Sequence, residues 1–451
     1  MTQAPTLRSS TGARLVAGHV VTLVIVTILP RVVFLGVVLA SGTTAIGPNA
    51  PDFEESNDGY VALARSLVET GRFAFEETAS QTVHRGPAYP VAIAAAYYIM
   101  RSFTWATLLV NVLSSVVVTL AVYRITCWFY AERIAYVLAL LASFYPVGLY
   151  YIGWSFADVF LAATFALYAW LMLEAIERDS LRWMIAGGLI LGLSMLTKPI
   201  LGLFPLVALA VAVVYRRTWL RWLVVQMLVM LVVVLPWSVR SSLFAGRPVY
   251  LTTGSGFNML VGNFMIDHTG DCNSSFDGGV RDALAYVNRR EGLSLTPADL
   301  ATGSHLDLTA RHDWLFLEHA IAHIRDTPHR FARKILVNLG RFWYFGSTPN
   351  RCILLGAINL PIVLLAGWEG WRRRRAMPDQ IAALAILVGY TWLLYAAIIV
   401  HSRFYLTVIP LLLPFALARA GRIVGKMTVA PDHPADESGI AVAGTQEERM
   451  S

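Results

Sequence analysis

Again and again this chain runs for about twenty residues with almost no charge, as in VAGHVVTLVIVTILPRVVFLGVVLA at 16–40 and IAALAILVGYTWLLYAAIIV at 381–400. In hydrocarbon a backbone finds no water to bond, so such a run folds as a helix, and about twenty residues cross a core about 30 Å thick. Ten runs have this character: 16–40, 104–124, 134–153, 156–174, 183–198, 200–215, 218–238, 352–368, 379–400 and 404–420. The expected fold is an all-α polytopic membrane protein with about ten transmembrane helices. Composition agrees, since 56% of the 451 residues are apolar and 14% charged, against roughly 45–50% and about 25% in soluble domains. A soluble enzyme and a disordered chain are excluded. Three cysteines also exclude a disulfide scaffold. The apolar run 88–100 is too short to span and suits a re-entrant or interfacial segment.

The formal charge of +7 does not point to nucleic acid, because the basic residues sit in short clusters beside apolar runs. Lys and Arg crowd the cytoplasmic ends of spans. Arg8 and Arg14, Arg124 and Arg133, Arg178 and Arg182, Arg216 to Arg221, Arg372 to Arg375, and Arg419 to Lys426 mark alternate loops in this way. Both termini are then expected in the cytoplasm and both long hydrophilic loops outside, as in a bacterial inner-membrane protein. The expected organisation is a cytoplasmic N-terminus (1–15), a first span (16–40) and an outer loop with amphipathic and re-entrant segments (41–103). Spans two to seven (104–239), an outer loop domain (240–350), spans eight to ten (351–420) and a disordered cytoplasmic tail (421–451) follow. The first run is longer than a signal-peptide core and contains Pro30 and Arg31, which suits a permanent helix.

The first outer loop reads PDFEESNDGYVALARSLVETGRFAFEETASQTVHRGPAYP. Tyr60, Leu63, Ala64, Leu67 and Val68 recur at helical steps and Gly71 stops the pattern, predicting an amphipathic helix over 58–71 lying on the membrane. Asp52, Glu54, Glu55 and Asp58 precede it. Carboxylates there have a plain explanation, because Ser56, Asn57 or Asp58 can cap the helix and acids favour its positive end.

The order of acid, Tyr60, Leu67, Gly71 and then Arg85-Gly86-Pro87-Ala88-Tyr89-Pro90 resembles the first outer loop of the GT-C glycosyltransferases that use polyprenyl-phosphate sugars, the protein O-mannosyltransferase and aminoarabinose transferase type. The likeness continues in register. SFYPVGLYYIGWSFADVF resembles the family segment leading to an acid, here Asp158; GLSMLTKPIL resembles its Leu-Thr-Arg-Pro stretch, with Lys198 for Arg. LPWSVRSS resembles its Pro-Trp-x-x-Arg-Asn segment, with Arg240 and then Ser241 for Asn, and a Gly-Asn turn at Gly262-Asn263 follows. HSRFYLTVIPLLLP resembles the segment opening the last span, with Arg403 and Tyr405.

The resemblance implies a GT-C-like fold and an inverting transfer of a sugar from a polyprenyl-phosphate donor to an acceptor hydroxyl on a protein, lipid or glycan, outside the membrane. Such a reaction needs a carboxylate to take the hydroxyl proton and cations to stabilise the departing phosphate. The family acid commonly stands where this chain has Ser56, so Asp58 is the favoured base, with Glu55 and then Glu54 as alternatives, and Asp158 is a further candidate. The candidate cations are His84, Arg85, Lys198, Arg240 and Arg403, and further donor and acceptor contacts are expected from Tyr60, Tyr89, Asn263 and Tyr405. Each basic residue alone is also explained as a snorkelling anchor at a helix end.

In the second outer loop, 311–326 and 328–343 have helical spacing, while Gly254, Gly256, Gly262 and Asn263 are expected to mark turns. Trp314, Phe316, Phe331, Phe342, Trp343 and Tyr344 suit an interfacial belt. Cys272 and Cys352 both fall in this compartment, where a disulfide is allowed but not fixed by spacing. No cofactor is implied: histidines are scattered without metal-ligand spacing, and nucleotide-binding loops are absent from the sequence. A lipid-linked sugar flippase, or a polysaccharide polymerase or ligase, would share this composition. The largely aliphatic span interiors and the polar residues gathered in the loops favour the transferase.

Overall fold

The structure, a computed structural model, describes residues 10–43, 53, 58–76, 80–302 and 304–423, with side chains from residue 18 onward. Glu54, Glu55, Ser56 and Asn57, and the tail expected to be disordered from residue 424 on, lie outside the described residues. In chain order the helices are α1 (Ser10–Ala40), α2 (Tyr60–Thr70), α3 (Ala88–Met100), α4 (Phe103–Phe129), α5 (Glu132–Ser143), α6 (Pro146–Ile152), α7 (Asp158–Arg178), α8 (Leu181–Thr197) and α9 (Phe204–Tyr215). Then follow α10 (Leu220–Ala245), α11 (Ser255–Met265), α12 (Cys272–Glu291), α13 (Ala310–Asp326), α14 (Pro328–Tyr344), α15 (Pro349–Arg373), α16 (Pro378–Ile398) and α17 (Ile409–Ile423). The sheet content among the described residues is one two-residue hairpin, β1 (Ala301–Thr302) with β2 (His305–Leu306), paired antiparallel.

Six helices are long and apolar enough to cross a membrane, or up to eight spans if each of two bent pairs counts as one. The chain is an integral membrane protein, but the expectation of ten separate spans needs correction. Runs 183–198 and 200–215 form a pair, α8 and the segment Pro199–Tyr215, bent by 119°. Pro199 has no N–H to continue α8, and the chain doubles back with Lys198 at the bend. At 12 residues, α9 is about 18 Å long, short of a full crossing. The last run is divided too, into a short 3-10 turn at Phe404–Thr407 and α17 from Ile409. The run 134–153 is also broken, into α5 and α6 at 53°.

Helix α7 is the hub. Leu161, Phe165, Tyr168, Met172 and Leu173 are fully or almost fully buried, and α7 packs on α4 and α8. Helix α8 meets α10 closely because Gly188 and Gly192 leave room for Val229 and Val233, the small-residue contact that membrane helices favour. At one end of the bundle, buried acids collect the arginines: Glu174 pairs with Arg178 and Arg124, and Glu369 with Arg373 and Arg422. The loops gather at the other end, where Thr82 donates to Asp307 at 2.6 Å and Arg240 to the Thr82 carbonyl at 3.3 Å.

Helices α2, α3, α13 and α14 lie where their patterns predict. Rather than lying free on a surface, α2 is wedged against α3 and α4, with Tyr60, Val61, Leu63, Ala64 and Ser66 buried. Gly256, Gly262 and Asn263 were expected in turns but lie inside α11. A Cβ at Gly256 would come within 2.2 Å of the Asp313 carbonyl oxygen, and one at Gly262 within 2.0 Å of that of Ile398. These glycines serve close helix packing. Phe316, Phe342 and Trp343 are buried instead of forming an interfacial belt; Trp343 packs on Trp392 and Phe342 on Tyr395, so these two fasten the loop domain to α16, while Phe316 packs on Phe257 of α11.

Candidate active site

Two acids and three cations from five distant points in the chain meet at the loop end. Asp58 stands immediately before α2. Gly59, between them, has φ +67°, and a Cβ there would come within 2.4 Å of the Phe75 ring; only glycine takes this corner without strain. Gly59 occupies the N-cap position and no side chain caps the helix, so the capping explanation of Asp58 is set aside. Its carboxylate instead accepts from Arg85 Nη2 at 3.3 Å and from Arg403 Nη2 at 2.7 Å. Arg85 Nε also donates to the Asp58 carbonyl at 2.9 Å. Arg85 is delivered by the turn RGP, where a Cβ on Gly86 would fall 2.2 Å from the Leu196 carbonyl oxygen of α8.

Asp158 opens α7 with its side chain 1% exposed. Lys198 Nζ bonds its Oδ1 at 2.7 Å, and Arg403 Nε stands 2.8 Å from its Oδ2. That second contact lacks hydrogen-bond alignment: Asp158 Oδ2 and Arg403 Nε both remain without a hydrogen-bond partner. The site therefore holds unspent donor and acceptor capacity beside the paired charges. The Arg403 guanidinium lies over Phe156 at 3.9 Å, Lys198 over Phe404 at 5.5 Å and Arg85 over Tyr60 at 5.7 Å, so each cation is backed by an aromatic face.

Burial alone would raise the Asp58 pKa, but Arg403, Arg85 and Lys198 outweigh it and hold the carboxyl below the usual carboxylate range. Burial lowers the Arg403 pKa; Asp58 and Asp158 more than restore it and keep the guanidinium charged. Burial, assisted by Arg403, pulls His401 down to about 3. His401 Nδ1 accepts from the Ser402 N–H at 3.0 Å, so the neutral ring carries its proton on Nε2.

The other expected residues divide by position. His84 is buried and its pKa lies well below the ordinary value, through burial and then Arg85; it is neutral, which corrects its reading as a cation. The Thr253 hydroxyl donates to the Leu308 carbonyl, so His84 Nδ1 donates to Thr253 across 3.2 Å, leaving Nε2 as a bare acceptor. Tyr89 donates to Asn111 Oδ1 at 2.9 Å, and Asn111 donates on to the carbonyls of Ile152 and Trp154. Tyr89 thus braces Tyr60, whose ring it meets edge-on at 5.4 Å. Arg240 lies outside the cluster, bonded to Gln81 at 2.6 Å and stacked on Trp237. Asn263 is buried in the loop domain, bonded to Lys334 at 2.8 Å. Tyr405 is buried with its hydroxyl unpartnered. Cys272 and Cys352 are free thiols; the Cys272 backbone N–H and the Cys352 thiol both donate to the Gly346 carbonyl.

Phe156 and His401 were missed by sequence reasoning, although both stand inside quoted segments. Their signal was adjacency to Asp158 and Arg403, which a search for charged groups passes over.

The family model for dolichyl-phosphate-mannose-protein mannosyltransferase matches residues 84–239, a segment holding Arg85, Asp158 and Lys198. No curated protein sequence matches the chain. Among solved structures, AglB, the oligosaccharyltransferase of Archaeoglobus fulgidus, in complex with an inhibitory peptide and a dolichol-phosphate, superposes with TM-score 0.53 at 13% identity over 95% of this chain and 53% of its own. The same organism's enzyme tethered to an acceptor peptide containing the NVT sequon gives 0.55 at 13% identity, over 90% and 50%. ArnT from Cupriavidus metallidurans bound to undecaprenyl phosphate gives 0.41 at 17% identity, over 92% and 79%. The chain spans about half the length of the oligosaccharyltransferases it matches. It has the GT-C fold of membrane glycosyltransferases.

Proposed function

We propose that this protein transfers a sugar from a polyprenyl-phosphate donor to an acceptor hydroxyl at the outer face of the membrane. One observation carries the reading: Arg85, Lys198 and Arg403 meet Asp58 and Asp158 in one largely buried cluster. Three cations against two carboxylates leave an excess of one positive charge, because His84 and His401 are neutral. A sugar joined to a lipid by a phosphodiester carries one negative charge. The cluster complements that donor without further neutralisation, and arginine suits bidentate phosphate contact.

The charge pattern also couples binding to reactivity. In the unliganded protein Asp58 is a weak base, with both oxygens held by arginines. A donor phosphate competes for Arg85 and Arg403, and each contact it takes from Asp58 raises the basicity of the carboxylate. The acceptor oxygen then bonds to the anomeric carbon as the carbon–phosphate-oxygen bond breaks, and Asp58 takes the hydroxyl proton. The phosphate leaves as a monoester with one more negative charge, which Arg403, Arg85 and Lys198 offset in a site of low dielectric. Attack from the face opposite the phosphate inverts the configuration.

Mass spectrometry of cell-envelope glycans, lipids and glycoproteins from cells with and without the gene tests the assignment. Loss of one sugar from one acceptor class supports it and identifies both substrates. Unchanged envelope glycans, together with accumulation of a lipid-linked sugar on the cytoplasmic leaflet, would replace it with transport.

A further inference from the structure

Beneath the acid cluster, and separate from it, lies a cavity of about 60 Å³ whose lining includes Arg31, Ser115, Thr119, Ser143, Ala162 and Leu413. Val159 also lines it, directly after Asp158, and Ala162 stands one helical turn further along α7. Arg31 is 5% exposed and lies nine residues before the end of α1 at Ala40, about 14 Å inside that end. This is near the middle of the bilayer.

Arg31 is only partly satisfied there. Nη1 donates to the Thr27 carbonyl at 2.7 Å and Nη2 to the Ser143 carbonyl at 3.1 Å. Nε has no partner, and among the described residues no acid acts on the guanidinium. A cation at this depth is costly without a counter-charge, and an intramembrane ionisable group by default marks a ligand or ion site. Helices α4, α5, α6 and α7 and the start of α17 supply acceptors and aliphatic groups to the cavity but no negative charge.

We propose that this cavity binds the phosphate headgroup of a membrane lipid, with Arg31 as its counter-ion. Its volume takes a few water-sized groups, enough for a phosphate but not for a sugar as well. The wall is mainly aliphatic, and among the described residues the far side of α1 is uncovered, with Val32, Val33 and Val37 more than half exposed. A ligand that reaches Arg31 past this helix comes from the bilayer and carries its acyl or prenyl chain alongside α1. The site does not rest on the transfer reaction and stands whether or not that reading holds.

The test uses the full-length protein in phosphatidylcholine nanodiscs, with phosphatidic acid and inorganic phosphate as separate probes and native mass spectrometry as readout. Wild type is expected to retain phosphatidic acid, and Arg31→Gln to weaken this binding about tenfold or more. Arg31→Lys should keep most of it. Ala162→Leu, which fills the cavity and leaves the cation in place, should abolish it, and it decides the matter if Arg31→Gln does not fold. Equal retention by Arg31→Gln or by Ala162→Leu overturns the proposal and reduces Arg31 to a staple between α1 and α5. Displacement by inorganic phosphate makes the ligand a free anion and overturns it too.

Discussion

Arg403 holds Asp58 through Nη2 at 2.7 Å and reaches Asp158 through Nε at 2.8 Å, so a single guanidinium joins the acid before α2 to the acid that opens α7. Two nitrogens of one planar group make the two contacts. An ammonium cannot reproduce them.

Arg403→Ala is therefore expected to raise the KM for a polyprenyl-phosphate sugar more than Arg403→Lys does, with both variants below wild type in kcat/KM. Steady-state kinetics on purified protein checks this. Equal and negligible effects in folded protein would return Arg403 to an anchoring role.

Asp58→Asn should lower transfer by about 10²-fold or more, because the amide cannot take the acceptor proton. It also leaves Arg85 and Arg403 without their carboxylate, so a lower Tm is expected as well. Asp58→Glu provides the separation: a longer side chain that restores the charge should recover the Tm while transfer remains impaired by the displaced carboxylate. Full transfer in Asp58→Asn would remove this acid from the mechanism and turn attention to Glu55→Gln.

Asp158 is the more deeply buried acid and meets two cations. Removing one member of a buried ion pair typically costs about 3–5 kcal/mol, so Asp158→Asn should be the least stable single variant of the cluster. Thermal unfolding in detergent measures it. A Tm equal to that of wild type would mean that Lys198 and Arg403 draw no stability from this carboxylate.

These residues also show what a sequence can disclose. Asp158 and Lys198 were legible because a charge at a span end demands a partner, and α2 because its apolar spacing and Gly71 delimit it. The span count was not legible in the same way: hydropathy registers that 183–215 is apolar but not that the chain reverses at Lys198. The glycines of α11 were misread because a glycine required for close helix packing resembles a turn glycine until its neighbour in space is known. His84 was misread for a related reason, since its charge depends on burial and not on residue type.

Acid should weaken the fold through His401. Its pKa is about 3 in the folded protein against an ordinary 6.5, so between these values the unfolded chain binds the proton and the native chain does not. Stability falls as pH drops through that window, by at most about 1.4 kcal/mol per pH unit. Asp58 adds little to the slope above about pH 5, where its carboxyl is ionised in both states. Tm measured from pH 6.5 to about 5 should fall less steeply in His401→Gln; an unchanged slope would place the titrating group elsewhere.

Orientation has its own check. With native cysteines removed, single cysteines at Ser80 and Ser304 should react with an impermeant maleimide on intact cells, and one at Ser438 should not. Labelling at Ser438, or protection of both loop sites, would put the cluster on the cytoplasmic face.

The charges that complete one another at this site are spread from residue 58 to residue 403. Translation therefore delivers both acids, Arg85 and Lys198 long before their shared arginine. A nascent chain halted after α15 holds two carboxylates against two cations, with no excess positive charge and no guanidinium between the acids. Insertion of the last helices is then the event that completes the cluster, and a ribosome that stalls short of them leaves its two acids without the arginine they share.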